Sequence, residues 1–168
     1  MMKHRQIFYL FIFIAITSFA QNYNMYSLYN NKLKAVFPNQ PEFVSVKPYS
    51  FYLSIDKKNK MSFNAQYQPS PFTYEIREYN KNSLDETMIN GLKVSGVKII
   101  DFTSNLDKGR NKYTYIARIQ DSVDDVIMYR SIKFMINGRD TYRWSVSSAN
   151  ISQQVIFDTY QASVQMTK

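Results

Sequence analysis

Three carboxylates lie close together in the run DSVDD, at Asp121, Asp124 and Asp125. Carboxylate oxygens are the ligands that calcium prefers, but this spacing matches no EF-hand loop. A glycosidase would need a second acid on the opposite side of the scissile bond, and nothing in the sequence places one there. Acidic residues are also common turn formers. We therefore expect a hairpin turn here, with a calcium site and a carboxylate-based hydrolase as the alternatives.

Most other catalytic chemistry is excluded by composition. The chain has no cysteine, and its only histidine is His4. Beyond the first 20 residues, Ser-His-Asp and Cys-His catalysis are therefore excluded, as are metal, haem and iron–sulfur sites built from His or Cys. The four glycines form neither of the glycine-rich loops that hold nucleotide phosphates. We expect a protein that is not an enzyme and that holds no cofactor.

The first 20 residues have the pattern of a secretory signal peptide. The short basic segment MMKHRQ precedes the apolar run IFYLFIFIAI, and the small residues Ser18 and Ala20 precede Gln21. The apolar run is shorter than the roughly 20 residues that span a bilayer, although an uncleaved anchor is the alternative. We expect cleavage between Ala20 and Gln21, export to the periplasm or beyond, and no stable membrane anchor afterwards. Residues 21–168 then form a single domain.

A basic balance raises the question of a nucleic-acid partner. Loss of Lys3 and Arg5 with the leader lowers the formal net charge from +8 to +6. The remaining basic residues are scattered, and the densest run, KKNK at 57–60, has the composition of a hairpin loop. Export also removes the usual nucleic-acid partners, so we expect none.

Alternating apolar and polar residues dominate the chain, which is typical of antiparallel strands. The predicted strands are 31–37, 42–46, 50–55, 61–67, 97–102, 112–120, 126–136, 139–147 and a short one within 162–166, with 73–79 undecided. Ser83 and Glu86 have the spacing of a capping box, which predicts a helix over 84–95 with Leu84, Met88 and Leu92 on one side. A second helix is predicted over 150–161. These elements indicate an α+β domain with an antiparallel sheet flanked by helices.

The segment YRSIKFMINGRDTYRWSVSS predicts which residues share a face of the sheet. A two-residue turn at Asn137-Gly138 would pair Ile132 with Arg143, and a five-residue DSVDD loop would pair Arg118 with Met128. One predicted face is apolar and aromatic, and it comprises Tyr113, Tyr115, Ala117, Ile119, Ile127, Tyr129, Met135, Tyr142, Trp144 and Val146. We therefore interpret Trp144 as a core residue.

The opposite predicted face is mixed. Its members are Thr114, Ile116, Arg118, Gln120, Met128, Arg130, Ile132, Phe134, Arg143 and Ser145. One interpretation is a face half-covered by a helix, with Asp85, Glu86 or Asp158 paired to the arginines. The other is a shallow groove for an acidic peptide or an anionic ligand, and its candidate partner-binding residues are Arg118, Arg130, Arg143, Met128 and Ile132.

The order of these segments resembles a known fold group. A strand ending in proline (AVFPNQP), a capped helix, a strand pair, the segment R-x-I-x-F-x-I-N-G-R-D-T-Y and a final helix with F-D-T-Y-Q-A-S-V follow one another over about 31–164. This is similar to the PsbP-like group, whose bacterial members include periplasmic proteins of the DcrB type. The positions that match the pattern are Arg130, Tyr142, Phe157 and Ser163. The resemblance implies an antiparallel sheet flanked by helices, and binding rather than catalysis.

From these features we expect an exported module of the bacterial cell envelope that binds another envelope or secreted protein. An assembly factor and an immunity-type inhibitor both fit, and the oligomeric state is open. The alternative is a carrier of a small apolar ligand, because an aromatic-rich antiparallel sheet of this size can enclose a pocket.

Overall fold

The computed structural model describes residues 23–46, 49–69, 73–150 and 154–166. The predicted leader, 1–20, and the junction of Ala20 with Gln21 lie outside the described residues. Within the described ranges, no helix combines the length and the apolar character needed to cross a membrane.

Ten strands and two helices make up the described part of the chain. The strands are β1 (Asn24–Leu28), β2 (Leu33–Phe37), β3 (Glu42–Val46), β4 (Tyr49–Asp56), β5 (Met61–Pro69), β6 (Lys98–Asp107), β7 (Lys112–Val123), β8 (Val126–Asn137), β9 (Asp140–Ser148) and β10 (Gln165–Met166). The helices are α1 (Lys81–Val94) and α2 (Gln154–Ser163), and one 3₁₀ turn spans Ile76–Glu78. The α+β class predicted from the sequence is confirmed.

The strands form two antiparallel sheets. The large sheet has the order β3-β4-β5-β9-β8-β7-β6, and the small sheet has the order β1-β2-β10. Two pairings join strands that are far apart in the chain. In the small sheet β10 pairs with β2, and in the large sheet β5 pairs with β9 along nine residue pairs, from Met61–Ser148 to Pro69–Asp140. This long-range pairing joins the first half of the sheet to the second.

We call the side of the large sheet that carries Trp144 the tryptophan face. Trp144 is 1% exposed, as expected, because the small sheet and α2 cover this face. The core between them contains Leu28, Leu33, Ala35, Phe37, Met61, Phe63, Ala65, Met135, Tyr142, Trp144, Val146, Phe157 and Tyr160. The hydroxyl of Tyr160 donates to the backbone carbonyl of Asn64 at 3.0 Å, and Nε2 of Gln161 donates to that of Ser131 at 3.0 Å. These bonds attach α2 to the sheet.

The small sheet is attached through Tyr29, at the end of β1. Its hydroxyl lies 3.1 Å from the backbone oxygen of Ala65 and 3.3 Å from that of Ser50. Its ring packs edge-on against Tyr52, with the centroids 5.0 Å apart. Burial raises the pKa of Tyr29 to about 12, so this hydroxyl stays protonated as a donor at neutral pH.

Strand β1 was not predicted from the sequence, since the first predicted strand begins at residue 31.

The other side of the large sheet, the arginine face, carries Arg143. Helix α1 covers only its β6–β8 half. The core there contains Ile76, Leu84, Tyr113, Tyr115, Ala117, Ile119, Ile132 and Ile136, with Met88 and Leu92 packed against it. The predicted apolar side of the helix, Leu84, Met88 and Leu92, is therefore confirmed.

The predicted capping box is wrong. Helix α1 begins at Lys81, three residues earlier than the box implies, and Asn80 is its N-cap, since the Asn80 side chain accepts from the backbone N–H of Asn82 at 2.9 Å. Ser83 and Glu86 lie inside the helix. Asn and Ser cap helices about equally well, so the sequence alone did not separate the two starts.

The hairpin predictions fail at both turns. Asn137 pairs with Asp140, and Gly138 has a φ of 61°, so the β8–β9 turn consists of Gly138 and Arg139. Glycine at the first central position is the pattern of a type II′ turn. The register differs from the predicted one by two residues, and an even shift leaves every side chain on its face.

The β7–β8 turn changes the faces. The strands extend through DSVDD until Val123 pairs with Val126, and only Asp124 and Asp125, with φ of 49° and 64°, form the turn. Arg118 therefore pairs with Ser131 rather than with Met128, a shift of three residues. An odd shift turns the whole strand over. The predicted placement of Tyr113, Tyr115, Ala117 and Ile119 beside Trp144 is wrong, since they lie on the arginine face under α1.

The predicted second helix began at residue 150, whereas α2 spans Gln154–Ser163. Residues 151–153, including Ile151, lie outside the described residues. Tyr160, within α2, is buried. The undecided segment 73–79 contains the 3₁₀ turn, and the strand predicted at 97–102 continues to Asp107 as β6.

Replacing Trp144 by alanine should lower the free energy of unfolding by about 3–5 kcal/mol, because the residue is fully buried on the tryptophan face. Arg143→Ala, one residue away on the opposite and exposed side, should change it by less than about 0.5 kcal/mol. Urea unfolding followed by circular dichroism measures both. Equal losses for the two variants would contradict the assignment of faces.

Asp85 fixes α1 to the sheet, and its contribution should depend on pH. Its carboxylate accepts from Lys81 Nζ at 2.6 Å and from the Tyr113 hydroxyl at 2.7 Å. Burial alone would raise the pKa of Asp85, but these bonds and the Lys81 charge outweigh it and lower the pKa. A lowered pKa means that the stabilisation is present above the ordinary value of about 3.9 and is lost as the pH falls through the folded-state value.

Asp85→Ala should therefore cost about 1–3 kcal/mol at pH 7, because it leaves the buried Tyr113 hydroxyl without its acceptor, and less below about pH 4. Tyr113→Phe removes the donor, so the double variant should lose less than the sum of the two single losses. Urea titrations at pH 7 and pH 3.5 provide the test. Additive losses that do not change with pH would contradict it.

Candidate functional site

The half of the arginine face that α1 does not reach is uncovered by described residues. We call this half the open face. It consists of the side chains on β3, β4, β5 and β9 that point away from Trp144, namely Glu42, Val44, Val46, Tyr49, Phe51, Leu53, Ile55, Ser62, Asn64, Gln66, Gln68, Thr141, Arg143, Ser145 and Ser147. The location of α1 therefore decides which part of the sheet is available to a partner.

The centre of the open face is polar and its β4 side is aromatic. Strand β5 alternates Met61, Phe63 and Ala65, which are buried in the tryptophan-face core, with Ser62, Asn64 and Gln66 on the open face. Beside them, β4 contributes Phe51 and Tyr49, and Tyr49 is 59% exposed. Aromatic rings next to hydrogen-bonding groups are typical of surfaces that bind protein.

A shallow groove of about 330 Å³ runs across this face. It is lined by Tyr49, Phe51, Leu53, Ser62, Asn64, Gln66, Arg130, Arg143, Ser145 and Ser147. A smaller hollow of about 170 Å³ continues it past Gln68, Phe134 and Thr141. Both share Tyr49, Gln66 and Arg143, so the two hollows form one surface with Arg143 near its middle.

Arg130, on β8, is held by neighbouring side chains. Its Nη2 lies 3.2 Å from Oδ2 of Asp121, and its Nε donates to Oγ of Ser147 at 3.3 Å. The two side chains of the ion pair are 28% and 15% exposed. Arg130 is thus preorganised at the side of the groove, but much of its charge is already neutralised.

Arg143 is in a different state. It is exposed, and among the described residues it forms no ion pair and no hydrogen bond through its side chain. It pairs across the sheet with Gln66 on one side and Phe134 on the other. Phe134 stacks on Tyr115, with the centroids 5.3 Å apart. Burial raises the pKa of Tyr115, and the nearby Arg143 charge partly opposes the shift. Arg143 therefore presents an uncompensated cation beside an aromatic row.

The predicted site residues divide between the two faces. Arg130, Arg143 and Met128 lie on the arginine face as predicted, and so does Ile132, which is 1% exposed and belongs to the core under α1. Arg118 lies on the tryptophan face, so its predicted grouping with the other two arginines is wrong. The cause is the longer β7–β8 hairpin, which turns β7 over.

Arg118 takes part in a separate groove beside α2. Its Nη2 donates to Oδ1 of Asp158 at 2.9 Å, and its Nη1 lies 3.7 Å from Asp101. The pairing of an arginine with Asp158 was one of the sequence expectations. Lys133 lines the same groove and lies 5.2 Å from the Trp144 ring. Burial, with a smaller effect of Lys112, lowers the pKa of Lys133. Two acids and two bases balance in this groove, whereas Arg143 on the open face has no carboxylate partner among the described residues.

The acidic run DSVDD does not form a cluster that could hold a metal. Asp121 is paired with Arg130, whereas Asp124 and Asp125 form the turn itself. Among the residues that the structure describes, no three His, Cys, Asp or Glu side chains are grouped so that they could hold a metal ion. The two acids at the turn lie apart from the open face.

The core on the tryptophan face is filled by side chains. Phe63 contacts Tyr160 and Tyr23, with centroids 5.0 and 5.7 Å apart, and Phe37 contacts Tyr160 at 5.9 Å. The large sheet is also open, with β3 and β6 at its two edges, and is not closed as in a lipocalin-like barrel. This packing gives no support to a carrier with its pocket among the aromatic residues.

Sequence reasoning missed the β4–β5 half of the open face. Its signal was present in the strict alternation of MSFNAQYQ, where every second residue is polar. The alternation shows that one side of β5 is solvated. It does not show that β5 pairs with β9, some 80 residues later, and that pairing is what brings Gln66 beside Arg143.

With this geometry described, the chain can be compared with known proteins. No family model matches the sequence, and no curated protein matches it either. Solved structures do match. Cyanobacterial PsbP (CyanoP) from Synechocystis sp. PCC 6803 aligns with 87% of this chain and 93% of its own, with a TM-score of 0.62 and 13% identity.

Two further structures are similar over nearly the same part of the chain. A Bacteroides thetaiotaomicron VPI-5482 protein aligns with 88% of this chain and 49% of its own, with a TM-score of 0.51 and 7% identity. LpqN, described as involved in cell envelope biogenesis of Mycobacterium tuberculosis, aligns with 87% of this chain and 91% of its own, with a TM-score of 0.46 and 7% identity.

The Arg130–Asp121 pair should contribute measurably to stability. Arg130→Met should lower the free energy of unfolding by about 1–2 kcal/mol, because it leaves the mostly buried Asp121 carboxylate unpaired. Arg143→Met, which breaks no ion pair among the described residues, should change it by less than about 0.5 kcal/mol. Urea unfolding measures both, and equal effects would contradict the division between a paired and an unpaired arginine.

With respect to fold, the match to CyanoP along almost the full length of both chains confirms the predicted resemblance: this chain has a PsbP-like α+β fold.

Proposed function

We propose that this protein is an exported, non-enzymatic binding module of the bacterial cell envelope, which holds an acidic segment of another envelope or secreted protein on its open face. An assembly factor or an immunity-type inhibitor would work in this way. The observation that carries the proposal is the uncompensated Arg143 in the middle of an uncovered, partly aromatic sheet surface.

The charge distribution supports an acidic partner. Arg143 has no carboxylate partner among the described residues, and Arg130, which lines the same groove, is paired with Asp121. A carboxylate arriving at Arg143 can form a bidentate pair with its planar guanidinium. The half-buried Gln66 and Asn64 provide donors and acceptors beside it, which fits the polar part of a protein interface.

The shape of the surface supports a protein segment. The groove is open to solvent and not enclosed, whereas small-molecule sites bury most of their ligand. Tyr49 and Phe51 lie on its β4 side, and aromatic side chains of this kind are enriched at binding hot spots. An extended segment can contact the aromatic side and the arginines together.

The expectation of export rests on the leader pattern at 1–20. The absence of catalytic activity is expected from composition, because the chain after residue 20 lacks both His and Cys. Together they favour a role in binding outside the cytoplasm.

Photocrosslinking tests the proposal. A benzophenone amino acid replacing Tyr49 should form a specific adduct with an envelope or secreted protein in living cells, because Tyr49 lines the groove. The matched control is Tyr79, which is 51% exposed and lies next to the start of α1. It should give no such adduct.

Arg143→Glu should reduce the Tyr49 adduct at least about tenfold, since it reverses the charge that meets the partner's carboxylates. Arg110→Glu makes the same charge change in the β6–β7 turn and should leave the adduct unchanged. The native interaction should also weaken at higher salt. Adducts that form equally from both tyrosines, or that are insensitive to Arg143→Glu, would overturn the proposal.

A further inference from the structure

The two edges of the large sheet differ in how they are protected against pairing with another strand. Edge strands expose unpaired N–H and C=O groups, and proteins usually guard them with charges, prolines or bulges. Strand β6 has such guards: its register shifts between Ile99 and Asp101, which marks a bulge, and it also carries Lys98 and Asp107. This edge is poorly suited to further pairing.

Strand β3, at the opposite edge, has such guards only at its ends. Its own sequence, EFVSV, contains no lysine, arginine or proline and one charge, Glu42, at the first position, while Pro41 precedes it and Lys47 and Pro48 follow it in the chain. It pairs with β4 in unbroken register over all five residues. Its apolar side chains are unusually exposed, with Phe43 at 56% and Val46 at 61%. Among the described strands, none pairs with its outer side.

The sequence of β3 is complementary to itself in an antiparallel arrangement. A register centred on Val44 is the one that pairs all five residues of two copies. It places Val44 against Val44, Glu42 against Val46, and Phe43 against Ser45. No like charges meet in this register, and like charges directly opposite each other would destabilise the pairing.

We propose that two copies of this protein associate through β3, in antiparallel register centred on Val44, so that the two large sheets become one continuous sheet. A twofold arrangement uses the β3 edge of each copy and leaves the guarded β6 edges at the two ends of the joined large sheet. Association therefore stops at a dimer and does not propagate into a fibre.

The dimer has a consequence for the open face. Antiparallel pairing keeps corresponding side chains on the same side of the sheet, so both open faces lie on one surface. The two β9 strands are separated by seven strand spacings, about 34 Å before the twist is considered. A partner with two acidic segments would then engage both faces with increased avidity.

A single cysteine tests the pairing, because the natural chain has none. Residues directly opposite in an antiparallel pair have Cα atoms about 4.5–5.5 Å apart, within the range that a disulfide spans. Val44→Cys should therefore form a covalent dimer rapidly under mild oxidation. Thr103→Cys, an exposed position on the guarded β6 edge, should remain monomeric under the same conditions.

Analytical ultracentrifugation of the purified protein, without any cysteine, gives the second measurement. The unmodified chain should show a concentration-dependent monomer–dimer equilibrium in the micromolar range or weaker, because five strand residues bury less than the roughly 1,200 Å² typical of stable complexes. Val44→Lys brings two lysines directly opposite each other and should be monomeric at every concentration. Thr103→Lys should dimerise like the unmodified chain.

A monomer at all concentrations, together with no faster crosslinking of Val44→Cys than of Thr103→Cys, would overturn the proposal. So would a dimer that Val44→Lys leaves intact, since the contact would then lie elsewhere. A covalent adduct of Val44→Cys with a different protein, in place of the dimer, would also overturn it and would assign β3 to a partner's strand. The Tyr49 photocrosslink is an independent measurement, because an adduct with another protein does not require this chain to form a dimer.

Discussion

The pairing of β5 with β9 is the interaction on which the rest of the structure depends. It joins the three strands that come first in the large sheet to the four that come last, through nine residue pairs between segments some 80 residues apart. It also fixes which side of β5 is buried. Phe63 and Ala65 meet Val146 and Trp144 in the tryptophan-face core, and Asn64 and Gln66 meet Ser145 and Arg143 on the other side. A slip of one residue would exchange these two sets, removing the core and the open face together.

The two faces are covered unequally, and this asymmetry creates the candidate site. The tryptophan face is covered by the small sheet and α2, while α1 covers only the β6–β8 half of the arginine face. Apolar strand residues lie under α1, for example Ile132 and Tyr113, whereas serine, asparagine and glutamine occupy the uncovered part. The polar residues make this surface compatible with water, and Arg143 with Tyr49 and Phe51 makes it suitable for a partner. The similarity to a cyanobacterial PsbP at 13% identity shows the fold alone.

The comparison of sequence with structure is most informative at the two hairpins. Both hairpins were predicted, and both registers were wrong. At Asn137-Gly138 the error was two residues and harmless, since an even shift keeps every side chain on its face. At DSVDD the error was three residues, because Asp124 and Asp125 both adopt positive φ and close the hairpin in two residues. Asp tolerates that conformation better than most residues, but the local sequence is equally compatible with a longer loop. This one turn moved Arg118 to the opposite face and Tyr113 into the core under α1.

The sequence by itself determined the strand-rich α+β class, most strand positions, the apolar side of α1, the buried location of Trp144 and the lack of His- and Cys-based chemistry after residue 20. These properties follow from local alternation and composition, which act within a few residues. Only the tertiary structure decided the register of β7, the partner of β5 and the part of the sheet that α1 leaves uncovered. Those depend on the packing of segments far apart in the chain, where several local arrangements are almost equal in energy and burial of the shared core selects one of them.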